Sequence, residues 1–348
     1  MSHEYENLIG IESSTPYSSE IRKLFEKLKI TPISHLGDGT INHAWLTTNL
    51  ETGLKTVLVV GPQLTQVDLK SRTDSGYLDA HKFLKAQQAA QAVVGLGVPA
   101  IQFLQAGIVD TPRARFAWGL EEVAKGQSLD KYWSDMSTAE KLTISNQLGT
   151  LMGKWHTITS LPAVRSTETA QEWYQRRAVD LLADGIRLGV FTPLRAQNIM
   201  SSFQYVLNSL KINNTMGLIH GDLFQANVFV DTNDPTEITH IIDWETATIG
   251  HIGYEQVLSA WWFAEEHGGN QEVFDTMISS SASRGVGLGF TESDLYPAVA
   301  LVDMFWHLNV IVSCTALHHT TDVPRWLDEL DPLVSQPAIF NTYADLSH

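Results

Sequence analysis

The sequence predicts an α+β protein in which a small β-rich unit precedes a larger helical one. Between residues 30 and 60, short β-branched runs such as Lys55–Val60 alternate with glycine-containing turns, as antiparallel strands do. After Gly126, apolar residues recur at helical spacing over long stretches. A length of 348 residues suits about two compact units. We therefore expect one unit at residues 1–122 and a second at residues 123–348.

The first unit is expected to begin with a helix and to continue as a sheet. Residues 18–30 open with a serine and a glutamate and then space their apolar residues at helical intervals, which predicts a capped amphipathic helix. The other elements that we expect here are strands at Ala44–Thr48, Lys55–Val60, 97–109 and 115–123, and a helix at Leu78–Val94.

The second unit is expected to be helical except for one pair of strands. Ser137 with Glu140 three residues later forms a capping box at the start of a helix. Tyr296–Leu317 is nearly apolar, but it contains an aspartate, a histidine and an asparagine, so we expect a buried helix and not a membrane span. Further helices are predicted at Glu172–Leu188, at Leu194–Leu210 and from Tyr254 onward.

Charge and cysteine content exclude several classes of function. Nearly all of the net charge of −16 lies in residues 161–348, which hold 23 acidic and 8 basic residues. Nucleic acid is therefore an improbable partner, and a metal or an amine would be attracted, although excess acid can also serve solubility alone. The polar N-terminus and the single Cys314 lead us to expect a cytoplasmic protein without disulfides and without a membrane partner. The oligomeric state stays open.

Polar side chains surround a predicted hairpin in the second unit. Val228–Val230 and Ile238–Ile242 are apolar runs joined by a short turn cluster, which predicts antiparallel pairing. Asn227 precedes the first strand and Asp243 follows the second, so they should be neighbours, with Asp222 on the loop at the same end. Two carboxylates and an amide oxygen suit Mg²⁺. The same groups are what phosphoryl transfer requires.

These segments, HGDLFQANVFV and HIIDWETATIG, resemble the catalytic and metal-binding segments of the aminoglycoside phosphotransferase and choline kinase group. That group has a two-lobed protein-kinase-like fold. The resemblance implies a catalytic acid/base at Asp222, magnesium ligands at Asn227 and Asp243, and a structural role for His220. It also implies ATP or GTP as the co-substrate.

Weaker similarities extend the resemblance into the first unit. LGDGTINHAW is similar to the family's glycine turn, which implies that the backbone at Gly37 and Gly39 covers the nucleotide phosphates. GLEEVAKGQSL resembles the hinge between the lobes, which implies adenine binding near Glu122 and Val123. LGTLMGKWHTI resembles the family's first large-lobe helix, where we expect His156 to be packed in the core.

One departure from the family concerns the nucleotide phosphates. The third strand of the family carries a basic residue that contacts them, and here the aligned position is Val59. A glutamate partner on the next helix is also missing, and Lys55, Lys70 and Lys82 are the candidate replacements. The leading interpretation stays a Mg²⁺-dependent phosphotransferase that moves the γ-phosphate of ATP or GTP to a hydroxyl of a small molecule. This departure motivates an alternative, a kinase-fold protein without kinase activity that binds a ligand or performs other chemistry.

The acceptor is expected to be a small hydroxyl compound. GHIGYE has His251 where the family has aspartate, and no long segment for docking a peptide follows Asp243. Acids beside tryptophans suit a cationic acceptor through charge pairing and cation–π contact. A metal-dependent hydrolase is a third alternative, but the ligands are few for a two-metal centre. The candidate substrate residues are Glu245, Trp261, Glu265, Asp303 and His307, with the last two on one helical face.

Overall fold

The N-terminal part of the protein is built on an antiparallel sheet. The computed structural model describes residues 16–38, 42–64, 79–112, 114–162, 167–265, 270–283, 285–316 and 320–335. The sheet has the strand order β1-β2-β3-β5-β4, and its register shifts twice in the β1–β2 pairing and once in the β4–β5 pairing. Its elements are α1 (Pro16–Leu28), β1 (Ile30–Asp38), β2 (His43–Asn49), β3 (Lys55–Val60), α2 (Lys82–Val94), β4 (Phe103–Asp110) and β5 (Arg115–Glu122).

One face of this sheet packs in a hydrophobic core, and the other faces a cavity. Successive side chains of a strand point to opposite faces. In β3 the buried Leu58 and Val60 join a core with Phe25 of α1, whereas Val57 and Val59 face a cavity. Helix α1 ends at Leu28 because Lys29 takes a left-handed backbone with φ of 55° and turns the chain into β1. The predicted helix at 18–30 is therefore confirmed with earlier bounds.

The C-terminal part is mainly helical, as the sequence predicts. The capping box of Ser137 and Glu140 is present, and a second one, which the sequence reading did not identify, joins Thr169 and Glu172. The helices are α3 (Asp130–Trp133), α4 (Thr138–Trp155), α5 (Ala170–Arg187), α6 (Pro193–Ser209), α7 (Ile252–Glu265), α8 (Gln271–Ala282), α9 (Leu295–Ala316) and α10 (Val323–Ser335).

Helix α9 runs through the middle of the helical part. It is long and apolar enough to cross a membrane by length and composition, yet 78% of its most apolar window is buried inside the protein. That is the burial of a core helix, as predicted for Tyr296–Leu317. Helices α4 and α8 approach closely at Gly149, where a Cβ atom would lie 2.4 Å from the carbonyl oxygen of Met277.

Short strands connect the helical part to the sheet. β6 (Gln127–Ser128), β8 (Val228–Val230) and β9 (Ile238–Ile241) form one antiparallel sheet in the order β6-β8-β9, and β7 (Met216–Ile219) pairs with β10 (Thr248–His251). The backbone of Ile241 in β9 also bonds to the segment before β4, accepting from Ile101 N at 2.9 Å and donating to Pro99 O at 2.7 Å. The fold is the predicted two-lobed α+β fold, with the hairpin between the sheet and the helices.

Candidate active site

The predicted hairpin brings Asp222, Asn227 and Asp243 together. Val228 of β8 pairs with Ile241 of β9, so the residues flanking these strands share one end of the hairpin. The Asn227 backbone oxygen accepts from Ile242 N at 2.9 Å, and its side-chain Nδ2 donates to the Asp222 carbonyl at 2.8 Å. This bond leaves the Asn227 amide oxygen available as a metal ligand. All three residues line one cavity.

His220 fixes the loop that carries Asp222. Its Nε2 lies 2.8 Å from the Ile242 carbonyl, and its Nδ1 lies 3.3 Å from the Asp222 N–H. The ring therefore donates from Nε2 and accepts at Nδ1 as a neutral imidazole. Burial lowers the pKa of His220 and favours this neutral form. The ring spans the hairpin end, as the predicted structural role requires.

Glu255 holds the same loop from the other side. One carboxylate oxygen accepts from the backbone N–H groups of His220 and Gly221, at 2.6 and 2.9 Å. The other lies 2.7 Å from Trp155 Nε1 and 2.8 Å from His156 Nε2. Burial acts to raise the pKa of Glu255, but these side-chain hydrogen bonds and the nearby imidazole outweigh it and hold the pKa below its usual range. Glu255 was not among the predicted site residues. The signal that could have identified it is the acid that follows Gly-Asp-Pro in the family, because the corresponding segment here, GHIGYE, ends in Glu255.

His251 is a core residue and not part of the cleft. Its Nε2 faces the carbonyl oxygens of Gly289 and Asn213, at 3.0 and 3.2 Å, and its Nδ1 faces the Tyr174 hydroxyl at 3.2 Å. Burial lowers the pKa of His251 to about 4. A neutral imidazole thus links strand β10 to helix α5 at the position where the family has aspartate.

Asp243 lies in a tight and strongly acidic turn. Its backbone is left-handed, with φ of 64° and ψ of 51°, which an aspartate tolerates better than most residues. Burial first, and then the carboxylates of Glu245 and Asp222, hold the pKa of Asp243 well above its usual range. A divalent cation between these groups would relieve the repulsion, so the donor set fits a metal ion.

The residues that fit a magnesium ion are Asp243 and Asn227. Within the described ranges, no group of three His, Cys, Asp or Glu side chains could hold a metal. Two protein oxygens are nevertheless sufficient for Mg²⁺ in phosphoryl-transfer sites, because water and substrate phosphates complete its octahedron. The arrangement thus fits an ion that binds together with a phosphorylated substrate.

A continuous cavity of about 980 Å³ extends from the sheet to the helices, with Asp222, Asn227 and Asp243 in its wall. Its end under the sheet is apolar and is lined by Leu36, Ala44, Leu46, Val57, Val59 and Phe103. Its other end lies among α7, α9 and α10 and is lined by Trp262, Glu265, Trp306, Cys314 and Trp326. The volume falls at the upper end of the range for small-molecule sites.

The predicted hinge lies along the sheet end of this cavity. Glu122 and Val123 both line it, and the Glu122 backbone N–H is bonded to the Gln102 carbonyl at 3.0 Å. The neighbouring Glu121 also faces the cavity, and burial, with Glu245 nearby, raises its pKa to about 8. Gly37 belongs to strand β1 and pairs with Ala44, whereas Gly39 lies outside the described residues.

The predicted substrate residues occupy three different places. Glu265 lines the helical end of the cavity, but on helix α7 it is Trp262, and not Trp261, that lines the wall beside it. Asp303 and His307 form a pair with 3.2 Å between Oδ1 and Nδ1, and Glu329 approaches the other ring nitrogen at 3.1 Å.

These carboxylates decide the charge state of His307. Burial acts to lower the pKa of His307, but Asp303 and Glu329 outweigh it and raise the pKa to about 9. The cation therefore neutralises part of the acid near the pocket. Glu245, the remaining predicted substrate residue, lies between the two lobes.

The position of the expected strand lysine is apolar. Val59 lies in β3 in register with Ala44 and Gly119 and faces the cavity. Of the candidate replacements, Lys55 is exposed at the start of β3, and Lys70 is outside the described residues. Lys82 at the start of α2 is only 1% exposed, and its Nζ lies 2.9 Å from Glu245 Oε2.

A cleft between a small sheet and a helical part, with carboxylates at a hairpin end, defines a small-molecule phosphotransferase of protein-kinase-like fold. The chain belongs to the phosphotransferase enzyme family, whose model, described as the "Phosphotransferase enzyme family", matches residues 33–273. A search of curated proteins finds no match to the sequence.

Solved structures share the fold at low sequence identity. The GDP and kanamycin complex of the aminoglycoside phosphotransferase APH(2'')-IIIa has a TM-score of 0.60 and 19% identity, covering 91% of this chain and 97% of that one. A putative aminoglycoside phosphotransferase from Ralstonia eutropha JMP134 has a TM-score of 0.59 and 14% identity, covering 94% and 98%. The ternary streptomycin–ATP complex of APH(2'')-IIa has a TM-score of 0.54 and 12% identity, covering 91% and 98%.

Proposed function

We propose that the protein transfers the γ-phosphate of ATP or GTP to a hydroxyl group of a small molecule, with Mg²⁺ as the metal. The observation that carries this proposal is the meeting of Asp222, Asn227 and Asp243 in the wall of one cavity that continues from the sheet to the helices. A nucleotide base would suit the apolar sheet end, and an acceptor would suit the aromatic helical end. The two reacting groups would then meet beside Asp222.

Asp222 would orient the acceptor hydroxyl and take its proton as the oxygen attacks the γ-phosphorus. The bond to the β-phosphate oxygen breaks, and the nucleoside diphosphate leaves. General-base assistance contributes about 10²–10⁴-fold to such rates. His220 and Glu255 keep the loop in place through the bonds to its backbone, so the base is positioned before the substrate arrives.

Asn227 and Asp243 would hold the metal together with phosphate oxygens. A bound magnesium ion supplies electrostatic stabilisation of the charge on the phosphates. The raised pKa of Asp243 supports this assignment, since a carboxylate crowded by other acids gains most from a bound cation. On the nucleotide side, the backbone at Glu122 and Val123 would bind the base, and the turn that contains Gly37 and Gly39 would cover the phosphates.

A cationic acceptor, such as an amine-bearing sugar or alcohol, suits the helical end best. Trp262 and Trp306 pack edge to face with 5.4 Å between ring centroids, and Glu265 lies in the same wall. Burial and the nearby Asp303 raise the pKa of Glu265, and a bound cation would offset both effects by favouring the ionised carboxylate. Several structural neighbours bind aminoglycosides, which are compounds of this class. We also propose that the enzyme works in the cytoplasm.

The first experiment measures nucleotide binding and turnover in three proteins. Wild type should bind a non-hydrolysable ATP or GTP analogue with Mg²⁺ and should phosphorylate a member of a panel of amino-alcohols and amino-sugars. Asp222→Asn should keep nucleotide affinity and lose about 10²-fold or more in kcat. Asp243→Ala should lose the Mg²⁺-dependent part of nucleotide binding. Full turnover by Asp222→Asn would disprove its role as base.

The alternative of a kinase fold without kinase activity rests on Val59, which leaves the third strand without its cation. Thermal unfolding with millimolar nucleotide and Mg²⁺ separates the two proposals, because a ligand of the native state raises the unfolding temperature. Stabilisation by nucleotide supports the enzyme. A protein that melts at the same temperature with and without nucleotide supports the alternative.

A further inference from the structure

Lys82 belongs to a closed network that joins three separate elements. Its Nζ lies 2.9 Å from Glu245 Oε2 and donates to Asn42 Oδ1 at 2.6 Å. Asn42 in turn donates from Nδ2 to the same Glu245 oxygen at 2.7 Å. Lys82 lies at the start of α2, Asn42 lies between β1 and β2, and Glu245 follows Asp243 by two residues. Each residue therefore contacts both of the others.

The surroundings show that Lys82 has been accommodated at a cost. A lysine in the first turn of a helix is opposed by the positive end of the helix dipole, and a fully buried ammonium needs a partner. Gly61, directly after β3, leaves room for the lysine stem, since a Cβ atom there would lie 3.0 Å from Lys82 Cε. Glu245 supplies the counter-charge and is itself 3% exposed.

Lys82 also supplies the cation that the cavity otherwise lacks. Of the described residues that line the cavity, none is lysine or arginine, whereas six are acids: Glu121, Glu122, Asp222, Asp243, Glu245 and Glu265. Their ionised carboxylates would repel a triphosphate. Lys82 lies directly behind this wall, and its charge acts on Asp243 as well as on Glu245.

We propose that Lys82 is the positioning cation of this phosphotransferase site and replaces, from the helix, the lysine that is missing at Val59. The ion pair is inverted relative to the family, because the cation comes from the helix and the anion from the metal-binding segment. Lys82 acts through its two partners. It fixes Glu245 beside Asp243, and it holds Asn42, directly before β2, at the wall of the same cavity.

The inference rests on the proposed nucleotide binding, and binding to the nucleotide alone tests it without an acceptor. The measurement is calorimetric titration of the intact protein with a non-hydrolysable ATP or GTP analogue and Mg²⁺, next to thermal unfolding of the same samples. Lys82→Met should raise the dissociation constant by about tenfold or more, since charge-assisted contacts are the strong ones. Lys82→Arg should retain most of the affinity.

Two further variants make the test more specific: a control at a neighbouring lysine, and a variant that moves the lysine to β3. Lys85→Met removes a lysine one turn further along α2 that pairs with Asp79, and it should leave the dissociation constant unchanged. In the Lys82→Met protein, Val59→Lys should recover part of the affinity, because a strand lysine would enter the same acidic wall. If Lys82→Met unfolds, Asn42→Ala takes its place, since it keeps the ion pair and removes only the hydrogen bonds to the residue before β2.

The outcomes separate this inference from the proposed function. If wild type binds no nucleotide, the proposed function fails. If wild type binds nucleotide and Lys82→Met or Asn42→Ala binds it equally well, Lys82 is only structural and the inference is overturned. Weaker nucleotide binding in these variants, with the Lys85→Met control intact, supports it.

Discussion

Replacing Glu255 by glutamine should destabilise the protein through the loop that carries Asp222. The 1% exposed carboxylate accepts from two backbone N–H groups and lies within hydrogen-bond distance of two ring nitrogens. In glutamine one oxygen becomes an NH₂ group. His156 can accept from that group by moving its proton to Nδ1, but Trp155 can only donate, so at least one buried donor is left without an acceptor. Such a loss costs roughly 1–3 kcal/mol, and the lost charge adds to it, for a total of about 3 kcal/mol.

The assay is thermal and urea unfolding of wild type and Glu255→Gln. A chain of this length has an unfolding entropy of about 0.7 kcal/mol/K, so a loss of 3 kcal/mol lowers the melting temperature by roughly 4 °C. Glu172→Gln is the control, because that carboxylate accepts comparable bonds from Thr169 at the exposed start of α5, where water can replace them. Equal shifts for the two variants would refute the reasoning.

Three further predictions concern stability. Unfolded histidine gains a proton below pH 6.5, whereas His251 stays neutral in the fold until about pH 4. The free energy of unfolding should therefore fall by on the order of 3 kcal/mol as the pH drops through this range. In urea titrations at each pH, His251→Asn should show a smaller decrease in this free energy than wild type. The pKa of Glu121 is raised to about 8 in the fold, so ionising this group should cost on the order of 5 kcal/mol of stability as the pH rises from 4.5 past 8. Glu121→Gln should therefore melt at a higher temperature than wild type at pH 9 and not at pH 5. Gly149→Ala should lower stability by roughly 1–3 kcal/mol by calorimetry despite alanine's higher helix propensity, because the Met277 carbonyl cannot move aside.

Local patterns were sufficient to predict a β-rich part followed by a helical part and the meeting of Asp222, Asn227 and Asp243, whereas the two-lobed protein-kinase-like fold came from the resemblance to the family. A short turn between two apolar runs forces antiparallel pairing, and pairing fixes which flanking residues become neighbours. Capping at Ser137 is equally local, since both bonds lie within three residues. Predictions of this kind succeed because a turn or a helix fixes how residues that are close in sequence lie relative to one another.

Contacts between distant segments were beyond such reasoning. Glu255 meets His220 and Trp155 across 35 and 100 positions, and no local pattern sets these distances. Which tryptophan of α7 lines the cavity could not be decided from the sequence for a different reason. Helix α7 is buried on nearly every side, so its apolar residues mark no single face, and one residue rotates the side chain by ~100°.

The choice of replacement cation also needed tertiary structure. Lys82 could be named as a candidate beside Lys55 and Lys70, but the direction in which its side chain points depends on how α2 packs against the segment after Asp243. The position of the Lys82 side chain also depends on Gly61, directly after β3, where the absence of a Cβ atom leaves room for the lysine stem.

The double pairing of β9 has a consequence for any attempt to separate the lobes. On one side β9 pairs with β8, and on the other it bonds to Pro99 and Ile101, which precede β4 of the sheet. The division at 122/123 stays a prediction about sequence units, but a polypeptide severed there would leave β9 dependent on a fragment no longer joined to it. We therefore expect the two fragments, when mixed, to associate with each other and not to remain as separate folded proteins.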